Sequence, residues 1–228
     1  MKILAIFSQW VFILCLPVLL ATASMAWAAN SVWLYRAGFE KYDVGQTTGL
    51  SDSELEKAAT GLIHYFRSGE EYVSITVVKD GRPFELFTEE EIIHFRDVKG
   101  LLWLDYRVLL GTLLYCLAYA GVSLVWQRRR NWRRLAWAAV GGSSLTLALM
   151  LAIGLAALVN FDSLFLQFHL ISFANKFWSA RGYMVLLFPR GFWYDTVLLC
   201  AAITAGLAVL LGGVAGAYLL FRRKTAVP

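Results

Sequence analysis

Residues 108–159 read VLLGTLLYCLAYAGVSLVWQRRRNWRRLAWAAVGGSSLTLALMLAIGLAALV. A charge-free run, Val108 to Trp126, is followed by five arginines within residues 128–134 and then by a second charge-free run, Leu135 to Val159. A hydrocarbon core about 30 Å thick takes roughly 20 residues of helix, so each run is long enough to cross it. The arginine-rich turn between them contains no acid, and basic turns of this kind stay on the cytoplasmic side. This stretch therefore predicts a helical membrane hairpin with its tip in the cytoplasm.

Working outward, two further charge-free runs have the same character, Ile3 to Ala29 and Thr196 to Phe221. With 59% of residues hydrophobic and 16% charged, the apolar surface is more than a soluble domain of this size buries. Nine of the 21 basic residues lie beside these runs: Lys2, Arg128, Arg129, Arg130, Arg133, Arg134, Arg222, Arg223 and Lys224. All 16 acids fall in residues 30–107 and 160–195. The net charge of +5 thus reads as a topology signal rather than as a nucleic-acid surface, and no nucleic-acid partner is expected. Lys2 with the apolar run and ASMAWAAN also resembles a signal peptide, but the run is longer than the usual core of roughly 7 to 15 residues; a retained helix is the expectation.

The predicted fold class is mainly α: a polytopic four-transmembrane-helix bundle with a small α+β extracytoplasmic domain and a re-entrant or interfacial outer segment. Its parts are a first span (1–29), the outer domain (30–103), a second span (104–126), a cytoplasmic basic turn (127–134), a third span (135–159), the outer segment (160–195), a fourth span (196–221) and a cytoplasmic tail (222–228). Cys15, Cys116 and Cys200 all fall within spans, so no disulfide framework and no reactive thiolate are expected. In the outer domain, Ser51 and Glu54 read as a capping box opening an amphipathic helix over 51–68. YVSITVV, then Asp80-Gly81 as turn, then PFELF read as a β-hairpin. Thr88 and Glu91 form a second box, beginning a helix that continues into the second span. In the outer segment, eleven aromatic residues between Phe161 and Tyr194 stand among charges, which forbids an ordinary span. In the fourth span, Gly212 and Gly216 suggest close helix packing.

Three histidines are candidates for chemistry. His64 sits on the amphipathic helix and reads as structural. His94 shares a helical face with Asp97 at i, i+3, where the carboxylate can orient the imidazole; Glu90 is placed to do the same. His169 is followed by Asn175 and Lys176. No serine-elbow, S-x-x-K or H-E-x-x-H pattern occurs. A His94, His169 and Asp97 zinc site stays open as an alternative.

EEIIHFRDVKGL (90–101), LFLQFHLISFANKFW (164–178) and LLFPRGFWYD (186–195), with GLIHYF (61–66) before them, resemble the bacterial lipoprotein intramolecular transacylase family. The combination of His, D-V-K, F-H, F-x-N, W and F-P in this order carries the likeness. The resemblance implies movement of an acyl chain within a diacylglyceryl-modified lipoprotein, from the glyceryl sn-2 oxygen to the α-amine of the N-terminal cysteine, with no cofactor. It implies His94 and His169 as the catalytic pair. His94 is expected as base, oriented by Asp97, with His169 as oxyanion donor, or the reverse. Asn175, Trp178, Lys176 and Lys99 are expected to meet substrate, and both histidines to face one membrane-level cavity. The expected setting is the bacterial cytoplasmic membrane, with membrane lipid as neighbour and a monomeric state. The sequence departs from the family pattern where Lys176 replaces an acid and SARGYMVLLFP (179–189) lacks a later one. A metal-assisted hydrolase and a non-catalytic adaptor remain as alternatives.

The charge pattern generates a direct test of sidedness. In intact cells Ser53→Cys is expected to react with an impermeant thiol reagent, and Asn131→Cys only after permeabilisation; the opposite pattern would invert the topology.

Overall fold

The computed structural model describes residues 2–125, 128–179 and 181–224. Trp126 and Gln127, where the second expected span meets the basic turn, and residues 225–228 of the expected tail lie outside them. In chain order the elements are α1 (Lys2–Ala29), α2 (Val32–Lys41), α3 (Val44–Thr48), α4 (Asp52–Arg67), β1 (Thr76–Lys79), β2 (Arg82–Glu85), α5 (Glu89–Val125), α6 (Arg128–Ser172), a 3₁₀ turn (Phe177–Ser179), α7 (Tyr183–Leu187) and α8 (Arg190–Lys224). Among the described residues four helices are long and apolar enough to cross a membrane, within Ile3–Ala29, Glu89–Val125, Asn131–Ser172 and Arg190–Phe221. The protein is a mainly helical multi-pass membrane protein.

The chain divides into two compact units. One comprises Met1–Met25, Asp105–Ala156 and Leu198–Pro228. Phe12, Leu16 and Leu20 recur along α1 at i, i+4, i+8 and pack with Cys116, Ala138 and Ala208. Small residues let the backbones approach. A Cβ added to Gly142 would lie 2.9 Å from the Leu16 side chain and 3.3 Å from the Ile13 carbonyl, and one on Gly212 would lie 2.9 Å from Ser143 Cβ. The sequence reading gave Gly216 the same duty as Gly212, yet an added Cβ there meets open space. Some buried polar groups are paired, as an apolar medium favours: Ser24 and Thr204 hydroxyls lie 2.9 Å apart, and Tyr115 donates to the Ser8 carbonyl at 2.8 Å, whereas Ser143 Oγ and Asp105 Oδ2 have no hydrogen-bond partner among the described residues. Leu114, Leu117, Leu210 and Val214 point outward, as lipid-facing residues must. All three cysteines are free.

The other unit comprises Ala26–Leu104 and Ala157–Val197. Its core is built on the apolar face of α4, where Leu55, Ala58, Ala59, Leu62, Ile63 and Phe66 are buried, the helical spacing read from sequence. The hairpin pairs Thr76 with Glu85 through Lys79 with Arg82. Asp80 and Gly81 take φ of 52° and 75°, both in the left-handed region, as a two-residue hairpin turn that Asp-Gly favours. The strands are shorter than YVSITVV and PFELF suggested. Gly61 on α4 admits the hairpin, since a Cβ there would fall 2.8 Å from Ile75 Cδ1.

The Ser51–Glu54 capping box does not form. Ser51 bonds to the Ser53 hydroxyl, and Glu54 Oε2 accepts the Val78 N–H at 2.9 Å, tying α4 to β1 instead. The Thr88–Glu91 box does form, and α5 runs unbroken from it. α2 and α3 lie where no element was assigned from sequence. Tyr35 and Phe39 of α2 stack with Phe188 and Phe192, Gly38 leaves room for the Phe192 ring, and Asp195 accepts from Lys41 at 2.6 Å and Tyr42 at 2.7 Å. Past the third expected span, helix resumes rather than giving way to irregular chain. The break is at Asn160 (φ −157°, ψ 83°), whose side chain accepts the Ser163 N–H at 3.0 Å and so caps the helix that follows.

Candidate active site

The first turn of α5 is fixed from two directions. Thr88 N–H donates to Glu91 Oε2 at 2.9 Å, and Glu91 N–H approaches the Thr88 hydroxyl at 3.4 Å. Glu91 is fully buried, and its other carboxyl oxygen accepts the Met184 N–H at 2.7 Å, in the first turn of α7. A buried carboxyl group needs such donors to be tolerated. Gly182 makes the approach possible, since a Cβ there would fall 2.5 Å from Glu91 Oε1. One turn further along α5 stands His94, and one turn beyond that Asp97.

His169 lies near the end of α6. Its Nδ1 is 2.7 Å from the Phe165 carbonyl one turn earlier. A carbonyl only accepts, so Nδ1 carries the hydrogen and, in the neutral ring, the lone pair is on Nε2. The Phe173 N–H donates to the His169 carbonyl at 3.0 Å, closing the helix. The chain then turns: Asn175 Oδ1 accepts the Phe177 N–H at 3.0 Å, and the 3₁₀ turn returns Trp178 to 5.0 Å from the His169 ring.

These two paths bring the imidazoles together, with ring centroids 6.2 Å apart and planes 26° from parallel. Phe173 stands against both, 4.8 Å from His94 and 5.4 Å from His169. Phe165 and Phe168 flank His169 at 4.1 and 5.2 Å. His94 is 6% and His169 7% exposed, so water scarcely reaches either. Burial, reinforced by the neighbouring His169 and opposed by Asp97, pushes His94 down to about 4. Burial also lowers His169, against the bond to the Phe165 carbonyl, which favours its charged form. Both rings are therefore neutral at physiological pH.

The other expected site residues divide. Asp97 does not hold the His94 ring as the i, i+3 spacing suggested: His94 Nδ1 has no hydrogen-bond partner among the described residues. Asp97 Oδ2 instead accepts from Asn175 Nδ2 at 2.7 Å, joining the α5 face to the turn that carries Trp178. Lys99 faces the end of α4 rather than the histidines. Its ammonium donates to the Glu70 carbonyl at 2.6 Å and the Ser68 hydroxyl at 3.3 Å, and lies 4.1 Å from the centre of the Tyr65 ring. Lys176 is exposed next to Asn175, and so is His64 on α4. Among the described residues no three His, Cys, Asp or Glu side chains are grouped as metal ligands. The two imidazoles lie among aromatic rings; a separate open cleft of about 520 Å³ lies at the Asn160 break, between residues 157–162 and Arg190, Gly191 and Tyr194, and neither histidine lines it. Sequence reasoning carried Phe173 only as the first residue of F-x-N, with no role of its own, and passed over the second duty of Glu91. The capping box announced Glu91, but its bond to Met184 spans 93 positions and leaves no local trace.

A protein-family model described as lipoprotein intramolecular transacylase Lit matches residues 10–193. An uncharacterized protein of Aquifex aeolicus (strain VF5) is 29% identical over 143 residues, covering 61% of this chain and 61% of that protein. The in meso structure of the membrane integral lipoprotein intramolecular transacylase Lit from Bacillus cereus has a TM-score of 0.80 at 16% identity, covering 99% of this chain and 100% of that one. The same protein with a single histidine-to-alanine substitution gives 0.77 at 17% identity, covering 99% and 97%. At such identities the solved structures speak for the fold.

The titration of His94 follows from its burial. In ¹⁵N-imidazole spectra, His94 is expected to stay neutral well below 6.5 and to charge at about 4, while neutral His169 shows a protonated Nδ1 and a bare Nε2. The unfolded chain binds the extra proton between 6.5 and about 4, so stability is complete above that window and falls as pH drops through it. A His94 titrating near 6.5 would contradict the dry pair.

Proposed function

The chain belongs to the lipoprotein intramolecular transacylase family, and we propose that it moves the sn-2 acyl chain of a diacylglyceryl-modified lipoprotein onto the α-amine of the N-terminal cysteine, leaving a lyso-form lipoprotein. The observation that carries this reading is the buried pair of neutral imidazoles 6.2 Å apart, drawn from helices 75 positions apart in the chain. The amine and the ester belong to one substrate molecule. Holding them in attacking geometry is worth up to roughly 7 to 11 kcal/mol in favourable intramolecular reactions, which leaves the protein chiefly proton transfer and charge stabilisation to supply.

His169 is the base in this reading. Its Nδ1 hydrogen is committed to the Phe165 carbonyl, so Nε2 faces the substrate with its lone pair and removes a proton as the amine adds to the ester carbonyl. The bond from the amine nitrogen to the acyl carbon forms, the bond from the acyl carbon to the glyceryl oxygen breaks, and the proton ends on that glyceryl oxygen. His94 stabilises the tetrahedral oxyanion by donating an N–H. The assignment reverses the first expectation, because the orienting acceptor was found beside His169. Asp97 acts through Asn175, to which it is bonded, and so steadies the turn bearing Trp178. Trp178 flanks the acyl group, and exposed Lys176 meets anionic head groups. Lys99 belongs to the scaffold.

The reaction takes place on the outer side of the bacterial cytoplasmic membrane, with both chain termini inside, residues 30–103 as an outer domain and 160–195 as an interfacial segment. The glyceryl esters stay at head-group depth and the tails in hydrocarbon, because exposing each CH₂ to water costs about 0.8 kcal/mol. The protein acts as a monomer and needs no cofactor.

Mass spectrometry of lipoprotein N-termini from producing cells tests the reading. His169→Ala and His94→Ala are each expected to lower the N-acylated lyso product by about 10²- to 10⁴-fold, the usual worth of such a group, with the protein still in the membrane. Full activity in both variants would overturn the assignment.

A further inference from the structure

Phe173 touches both imidazoles, yet offers no proton, charge or hydrogen-bonding side chain to the reaction. Its position is set by two local features. Its N–H is bonded to the His169 carbonyl, which returns the chain over the turn it has just left, and its ring meets Phe168 edge-on at 6.1 Å. The ring then stands 4.8 Å from His94 and 5.4 Å from His169, while the imidazoles are 6.2 Å from each other. The three rings form a triangle with an apolar corner. Phe173 is 8% exposed, comparable with the histidines at 6% and 7%, so it is part of what keeps them dry.

An acyl transferase whose nucleophile is an amine faces a competitor. Water can add to the same ester carbonyl, and an imidazole activates water as readily as it activates an amine. In transfer, the amine nitrogen bonds to the acyl carbon and its proton ends on the glyceryl oxygen. In hydrolysis, the water oxygen bonds to the acyl carbon, one water proton ends on the glyceryl oxygen, and free fatty acid leaves. The products differ only in which nucleophile stands beside the base. We propose that Phe173 is the specificity-determining residue that holds water away from the imidazole pair, so that the acyl chain passes to the amine instead of being released. This rests on the transacylase reading of the site. An apolar ring at the corner leaves no hydrogen-bonding partner there for a water molecule, and a buried water requires two to four such partners. Trimming the ring opens room beside the imidazole nitrogens, which do offer them.

The test uses the full-length protein in detergent or liposomes with a synthetic diacylglyceryl lipopeptide in H₂¹⁸O. Products are resolved by mass spectrometry as N-acyl lyso lipopeptide and ¹⁸O-labelled fatty acid. Across Phe173→Leu, Phe173→Val and Phe173→Ala, the ratio of labelled fatty acid to N-acyl product is expected to rise with lost ring volume, several-fold in the alanine variant and least in the leucine variant. The ratio compares two products of the same active molecules, so loss of folded protein does not move it. If the ratio matches wild type across the series, or if both products vanish together in all three variants, Phe173 is a packing residue and the inference is wrong. Failure of the wild-type protein to make any N-acyl product would instead remove the transacylase reading beneath it.

Discussion

Two imidazoles stacked 6.2 Å apart among aromatic rings are compatible with one charge state. Protonating both would set like charges side by side in a medium with little screening, and protonating His94 alone already opposes the burial that holds it down to about 4. The dry cage therefore keeps the pair neutral, which the proposed role of His169 as base requires, since a protonated histidine cannot take a proton. The surrounding architecture serves this constraint. Glu91 ties the start of α5 to α7, Asn160 restarts α6, the Phe165 carbonyl fixes the His169 tautomer, and Asp97 with Asn175 anchors the turn that brings Trp178 back.

The same economy explains why the protein carries few groups of obvious chemical power. Intramolecular transfer supplies nucleophile and electrophile together, so the enzyme need not form a covalent intermediate. It has to orient a lipid-bearing substrate, move one proton, stabilise an oxyanion and keep water out. In the proposed reading two histidines and the phenylalanines around them carry that list, and they lie within one compact unit.

What the sequence disclosed and what it withheld follow from the range of the interactions. The spans were legible because the length of an apolar run is a local property. The apolar face of α4, the Asp80-Gly81 turn and the Thr88–Glu91 box were legible for the same reason, since each is set by residues within a few positions of one another. The Ser51–Glu54 box failed because a competing donor, the Val78 N–H, comes from a strand 24 positions away. Asp97 was assigned to His94 on helical spacing, but its nearer partner, Asn175, lies 78 positions along the chain. Lys99 was expected at the substrate through the D-V-K likeness, but the end of α4 claims its ammonium. α2 went unread because its aromatic residues are held by Phe188 and Phe192, not by a repeating pattern of their own, and α3 because its five residues are too few to show a period. The identity of the two histidines came from the order of motifs, and their stacking from the fold.

The central claim is that this buried pair directs an acyl group from oxygen to nitrogen within one molecule. The most direct measurement mixes two diacylglyceryl lipopeptides of different peptide mass with purified protein, one carrying a ¹³C-labelled sn-2 acyl chain. The ¹³C label is expected to move to the amine of the peptide that brought it, with none on the other. Label on the second peptide, or label that stays on the glyceryl oxygen or leaves as fatty acid, would contradict it.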